Sequence, residues 1–190
     1  MNAGGTPTAQ QLKTELRRVR HRAEYGKMLR NTLYILIAVA AAAVLVATLC
    51  LPVLCVTGTS MEPTLENGQF ILAVKNTGFQ RGDIIAFYYN NKVLLKRVIG
   101  LSGDQIAILE DGSVAVNNKA IDEPYLSDKS RGECDITFPY QVPDGKVFVL
   151  GDHRATSVDS RSSALGCVSD EFIVGKVIFR IWPLGKLGGL

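Results

Sequence analysis

The stretch DIIAFYYNNKVLLKRVIGL, Asp83 to Leu101, holds two apolar runs either side of Asn90-Asn91. Both runs are rich in β-branched, aromatic and aliphatic residues, the composition of strands. Asparagine tolerates the left-handed backbone that a two-residue hairpin turn demands. The stretch therefore predicts an antiparallel hairpin, Asp83–Tyr89 with Val93–Leu101. Outward from it, Gln69–Lys75, Gln105–Leu109, Ser113–Val116, Lys146–Leu150 and Phe172–Trp182 have the same character. Turn signals separate them: Glu66-Asn67-Gly68, Arg81-Gly82-Asp83, Ser102-Gly103-Asp104, Asp111-Gly112 and Asp144-Gly145. Asp111-Gly112 marks a second hairpin. No helix signal of useful length follows residue 57. The expected fold class is mainly β, an antiparallel sheet or barrel-like domain of short strands. Residues 118–145, polar and carrying Pro124, Pro139 and Pro143, read as a loop-rich excursion.

Upstream the pattern changes. Thr32 to Leu51 is twenty residues without a charge. At about 1.5 Å each, that spans the roughly 30 Å hydrocarbon layer of a bilayer. A cleavable leader has an apolar core of only about 7–15 residues. Lipoprotein processing needs a small residue before the cysteine, whereas Leu49 precedes Cys50 and Leu54 precedes Cys55. The expectation is one uncleaved transmembrane helix. Residues 9–30 read as a helix with seven Lys or Arg. Such a basic flank places the N-terminus in the cytoplasm. Leu12, Leu16, Val19 and Ala23 form a weak apolar stripe, suited to anionic lipid headgroups or simply to water. Residues 1–8 are expected to be frayed. The chain divides into 1–30, a cytoplasmic basic helix and tail; 31–54, the anchor; and 55–190, an extracytoplasmic β domain.

The bulk numbers restrict function. Hydrophobic residues make up 47% and charged ones 21% of 190 residues, so a folded domain with a real core is expected. The net charge is only +3, with the positive excess before residue 31. The folded part lacks the basic stripe that nucleic-acid binding wants. Cys50, Cys55, Cys134 and Cys167 have no metal-ligand spacing. Cys134 and Cys167 are a candidate pair in an oxidising compartment.

Val56-Thr57-Gly58-Thr59-Ser60-Met61-Glu62-Pro63-Thr64-Leu65 begins where the anchor ends. Gly58 permits unusual backbone angles and Pro63 biases Glu62 away from helix, so Ser60 is expected on an irregular, sharply turned segment. A serine hydroxyl needs a base to become a nucleophile. Two histidines exist, His21 and His153, and His21 lies across the expected membrane from Ser60. A Ser60–His153 pair oriented by Asp159 or Asp152 is one arrangement. A neutral lysine is the other. Lys96 shares its strand face with Leu94 and Val98, and burial lowers a lysine pKa. An edge lysine reaching into water remains the alternative for Lys96. Gly151-Asp152-His153-Arg154-Ala155-Thr156-Ser157-Val158-Asp159-Ser160-Arg161 follows a strand with two carboxylates and two guanidinium groups, enough to brace a loop holding Ser157 or Ser160 near a base.

Together these segments resemble the bacterial type I signal peptidases, membrane-bound Ser–Lys proteases, in the single-anchor form typical of Gram-positive bacteria. Ser60–Leu65 resembles the nucleophile box and Arg81–Phe87 a structural strand box. Lys96–Asp104 resembles the general-base box, and Gly151–Arg161 the last box; Ile181-Trp182-Pro183 is also similar. The resemblance implies Ser60 as nucleophile, with its N–H as oxyanion donor, and Lys96 as general base. It implies Ser157 as the residue orienting Lys96, and Met61 packed near the site. Gly151, Asp152, Arg154, Asp159 and Arg161 would support the last box, Asp159 acting with Arg154 and Arg161. It implies no metal and no organic cofactor. The partners would be the bilayer and membrane-tethered preproteins with small residues before the cut. Gly58 stands where some members carry a second oxyanion hydroxyl, leaving Thr57 or Thr59 as substitutes. His153 replaces a usual Asn, and Ser102 a usual Pro. Two other readings are a self-cleaving repressor-like Ser–Lys peptidase, which would need a DNA-binding region, and a non-catalytic anchored β module. The Ser60–Lys96 distance discriminates the last of these.

Overall fold

The protein is described by a computed structural model covering residues 8–190. Residues 1–7, most of the segment expected to be frayed, lie outside the described residues, as does the side chain of Ala23. The chain falls into two compact units, one ending at Leu49 and one running from Cys50 to Leu190.

The first unit is a single helix, α1 (Ala9–Cys50), of 42 residues. At about 1.5 Å per residue it is roughly 63 Å long, twice an apolar bilayer layer. No break separates the basic and apolar halves. Its apolar half has a mean hydropathy of 2.7 over 18 residues, long and apolar enough to cross a membrane. Leu12, Leu16 and Val19 are exposed. The helix stops before Pro52, although the apolar run continues through Val53 and Leu54. Those two residues belong to a strand, so the helix ends at Cys50 and does not continue to residue 54.

The second unit holds twelve strands. They are β1 (Val53–Cys55), β2 (Phe70–Val74), β3 (Ile84–Tyr89), β4 (Lys92–Gly100), β5 (Gln105–Ile108), β6 (Val114–Val116), β7 (Lys119–Ala120), β8 (Tyr140–Gln141), β9 (Lys146–Leu150), β10 (Val168–Ser169), β11 (Ile173–Trp182) and β12 (Gly188–Gly189). The larger sheet runs β1-β2-β11-β3-β4-β9-β10, with β12 also on β11; the smaller runs β7-β6-β5-β8. Every pairing is antiparallel. The fold is mainly antiparallel β behind one long N-terminal helix.

The expected central hairpin is present. Asn90 and Asn91 take φ of 45° and 60°, closing Tyr89 onto Lys92. That register sets Ile84 opposite Arg97 and Ile85 opposite Lys96. Three apolar clusters fill the unit. Val56, Met61, Leu65, Ile71 and Ile84 pack beneath the serine segment. Ile85, Phe87, Val98, Val147 and Val149 pack across β3, β4 and β9. Ile99, Ile106, Phe148 and Leu150 join the two sheets. The excursion at 118–145 is not wholly loop, since it supplies β7 and β8. All four cysteines are free thiols, so the candidate Cys134–Cys167 bridge is absent from the structure.

Candidate active site

Ser60 sits on the turn expected for it, and hydrogen bonds explain the turn. Val56 N–H donates to Gln69 at 2.8 Å and Gly68 N–H to Val56 at 2.9 Å, which fixes the end of β1 against the start of β2. Gly58, at φ +89°, lets the chain reverse, and its N–H donates to Asn67 Oδ1 at 3.0 Å. One tight turn follows, closed by Glu62 N–H to Thr59 and Leu65 N–H to Met61. Met61 and Leu65 point into the core, 2% and 0% exposed. Ser60 is thereby held half-buried, at the lip of that core. The Ser60 carbonyl accepts the His153 N–H at 3.1 Å, and its own N–H has no acceptor among the described residues.

Lys96 reaches the same point from β4. Its Nζ lies 2.7 Å from Ser60 Oγ. The residue is 3% exposed, and its strand neighbours Leu94 and Val98 and cross-strand partner Ile85 belong to one apolar cluster. Burial pulls its pKa from an ordinary 10.5 to about 8. Asp159 opposes that shift, Arg161 adds to it, and Asp152 opposes it. The amine therefore deprotonates near physiological pH. When it is charged, Nζ donates to Oγ; when neutral, the hydroxyl donates to Nζ, the polarity a general base needs. A cleft of about 310 Å³ opens beside the pair, lined by Leu54, Val56, Met61, Leu95 and Lys96 among others.

The segment after β9 packs against Ser60 from behind. A Cβ on Gly151 would overlap both the Ser60 carbonyl oxygen and Ser157 Oγ, so only glycine fits there. Ser157 is 7% exposed and its hydroxyl has no hydrogen-bond partner. It thus lies beside the nucleophile segment but makes no hydrogen bond to Lys96 in this structure. Asp159 accepts Gly151 N–H at 3.0 Å and chelates Arg161 through Nε and Nη2, both at 2.8 Å. Arg161 Nη1 also donates to the Arg131 carbonyl at 2.6 Å.

Arg154 does not join that pair, contrary to the expected grouping with Asp159. It chelates Glu123, with Nη2–Oε1 at 2.5 Å, while its Nε donates to the Gly151 carbonyl at 3.0 Å. Asp152 instead chelates Arg97 at 2.9 and 2.6 Å and accepts the Thr64 hydroxyl at 2.5 Å. Tyr125 links these two pairs. Its hydroxyl donates to Glu123 at 2.7 Å and its ring lies 3.8 Å from the Arg97 guanidinium carbon. Burial first, then Glu123, pushes the Tyr125 pKa up. Glu123, Tyr125, Arg97 and Thr64 escaped the sequence reading. Arg97 lay in plain view beside Lys96, but only the fold brings Asp152 to it.

His153 is not arranged as a base for Ser60. Its Nδ1 pairs with Thr156 Oγ1 at 3.2 Å, and both carboxylates proposed to orient it are committed to arginines. Thr57 and Thr59 are exposed beside Gly58, and neither hydroxyl makes a hydrogen bond among the described residues. No group of three or more His, Cys, Asp or Glu that could hold a metal occurs among the described residues.

The model of the family described as "Signal peptidase, peptidase S26" matches residues 28–182. The chain belongs to this family. It is a serine peptidase, and so a hydrolase. Signal peptidase IB of Staphylococcus aureus is 39% identical over 149 residues, covering 68% of this chain and 76% of that one. Signal peptidase I of Bacillus caldolyticus is 43% identical over 144 residues, covering 67% and 78%. A crystal structure of a signal peptidase I from Enterococcus faecalis V583 is 31% identical, with a TM-score of 0.46, covering 53% of this chain and 97% of that one. The matched span begins inside the basic half of α1 and ends at Trp182, so it contains every site residue of this peptidase described above.

Proposed function

We propose that this peptidase removes N-terminal signal peptides from exported preproteins by a Ser60–Lys96 dyad, at the outer face of the cytoplasmic membrane. The supporting observation is Lys96 Nζ at 2.7 Å from Ser60 Oγ, in a position dry enough to bring the amine to about 8. A non-catalytic module has no need of that meeting.

Neutral Lys96 takes the Ser60 proton as Oγ attacks the scissile carbonyl. The oxyanion that forms is met by the Ser60 N–H. One such donor is worth about 2.7–4 kcal/mol of barrier. The Lys96 ammonium then protonates the leaving amine, freeing the mature chain and leaving an ester on Ser60. Water, deprotonated by Lys96, hydrolyses that ester. Ser157 orients the amine during this cycle, its unpartnered hydroxyl lying next to the nucleophile segment. Asp159–Arg161, Asp152–Arg97 and Arg154–Glu123 hold that segment rigid, so the reacting groups stay in register.

The cleft is small, about 310 Å³, with Leu54, Val56, Met61 and Leu95 in its lining, which suits small side chains before the cut. The basic N-terminal half of α1 supports a single-pass topology with that end in the cytoplasm and the β unit outside. No cofactor enters the scheme. The test is incubation of the full chain in lipid vesicles with a preprotein, and mass determination of both product ends. Cleavage after small residues by the parent protein, and none by Ser60→Ala or Lys96→Ala, is expected. Cleavage by Lys96→Ala at the parent rate would remove the dyad.

A further inference from the structure

An endopeptidase must accommodate chain on both sides of its nucleophile, and the aliphatic cleft accounts for one side. A second cavity, of about 550 Å³, shares Ser157 with the Ser60–Gly151–Ser157 contact. Its lining differs in charge: it includes Glu133 and Asp135, where the first cleft includes Lys92 and Lys96. Ser157, 7% exposed with an unpartnered hydroxyl, belongs to that lining and also abuts the nucleophile segment, so the cavity borders that segment through this one residue.

Glu133 and Asp135 are exposed, and neither has an ion-pair partner among the described residues. Asp135 is held in place, accepting Ser163 N–H at 2.6 Å and the Ser163 hydroxyl at 2.7 Å. The buried arginines nearby are committed elsewhere, Arg154 to Glu123 and Arg161 to Asp159, and Arg131, exposed two residues before Glu133, offsets only part of the negative charge.

We propose that this cavity receives the residues that follow the cut, and that Glu133 and Asp135 make it favour basic over acidic side chains there. The assignment rests on Ser60 being the nucleophile. It adds a preference on the mature side of the substrate, opposite the small-residue cleft. The two sides then differ in kind: apolar and size-selective before the bond, anionic and charge-selective after it.

The experiment uses the full chain in vesicles and a peptide series with Lys, Gln or Glu placed in turn at the first three positions after the cut. At one or more positions kcat/KM should fall in the order Lys, Gln, Glu, with Lys over Glu by roughly two- to tenfold, the size of one or two exposed charge contacts. Glu133→Gln should shrink that ratio and Glu133→Lys should reverse it. Asp128→Asn, an exposed change in the same excursion outside the cavity, should leave the ratio as it is. Salt at about 0.5 M should compress it. Equal cleavage of all three peptides, or a ratio indifferent to Glu133, overturns the inference while leaving the dyad intact. No cleavage of any peptide removes the reading of Ser60 and this inference with it.

Discussion

Lys96 makes the rate of this peptidase depend on pH in a way that can be worked out beforehand. With the amine at about 8, about one molecule in eleven carries it neutral at pH 7; at an ordinary 10.5 it would be about one in three thousand. Under the proposed mechanism kcat/KM therefore rises about tenfold per unit from pH 6 toward 8 and levels above it. The same shift has a stability consequence. Between about 8 and 10.5 the unfolded chain holds a proton that the folded chain lacks, so stability rises with pH through that window. Below about 8 the full cost of the buried cation is present, about 3 kcal/mol at about 1.36 kcal/mol per pKa unit. The assay is initial-rate cleavage of a fluorogenic peptide in vesicles from pH 5.5 to 10, with thermal unfolding followed in parallel. Lys96→Met should be inactive and should lose its share of the pH-dependent stability above pH 8. A flat rate from pH 6 to 9 would refute the reasoning. So would a pH limb that disappears in His153→Ala, because the base would then be the imidazole.

His153→Ala should keep most activity, since only its backbone N–H touches Ser60. Ser157→Ala removes a hydroxyl with no partner, so Tm should hold or rise while kcat falls by at least about tenfold, measured on one preparation. Gly151→Ala forces a Cβ into the Ser60 carbonyl and Ser157 Oγ, and both activity and Tm should drop in paired rate and melting measurements. Glu123→Ala strands a buried guanidinium, at a cost of about 3–5 kcal/mol seen as a lower denaturant midpoint. A midpoint unchanged by that substitution would mean Arg154 finds water.

The central hairpin and the serine turn were legible because each rests on neighbours in the chain. Asn90-Asn91 names its own turn, and Gly58 with Pro63 names another. Lys96 was legible for a similar reason, since alternation along β4 places it with Leu94 and Val98. The long-range ion pairs were not legible. Arg97 finds Asp152 across 55 positions and Arg154 finds Glu123 across 31. The expected grouping of Asp159 with both Arg154 and Arg161 came from the resemblance, and the fold sends Arg154 to Glu123 instead. Strands of two or three residues, such as β7 and β10, are too short to show a period. The boundary at Pro52 was blurred because Val53 and Leu54 are as apolar in a sheet as in a bilayer.

β1 is the last strand of its sheet, paired with β2 on one side and with nothing described on the other. Its Leu54 and Cys55, with Val56 just beyond, border the cleft beside Ser60. A free rim of amides and carbonyls can dock any extended polypeptide through the backbone, which every protein shares. Backbone docking of this kind fixes the path of a bound chain without reading its side chains, and leaves selection to the cavities that those side chains enter.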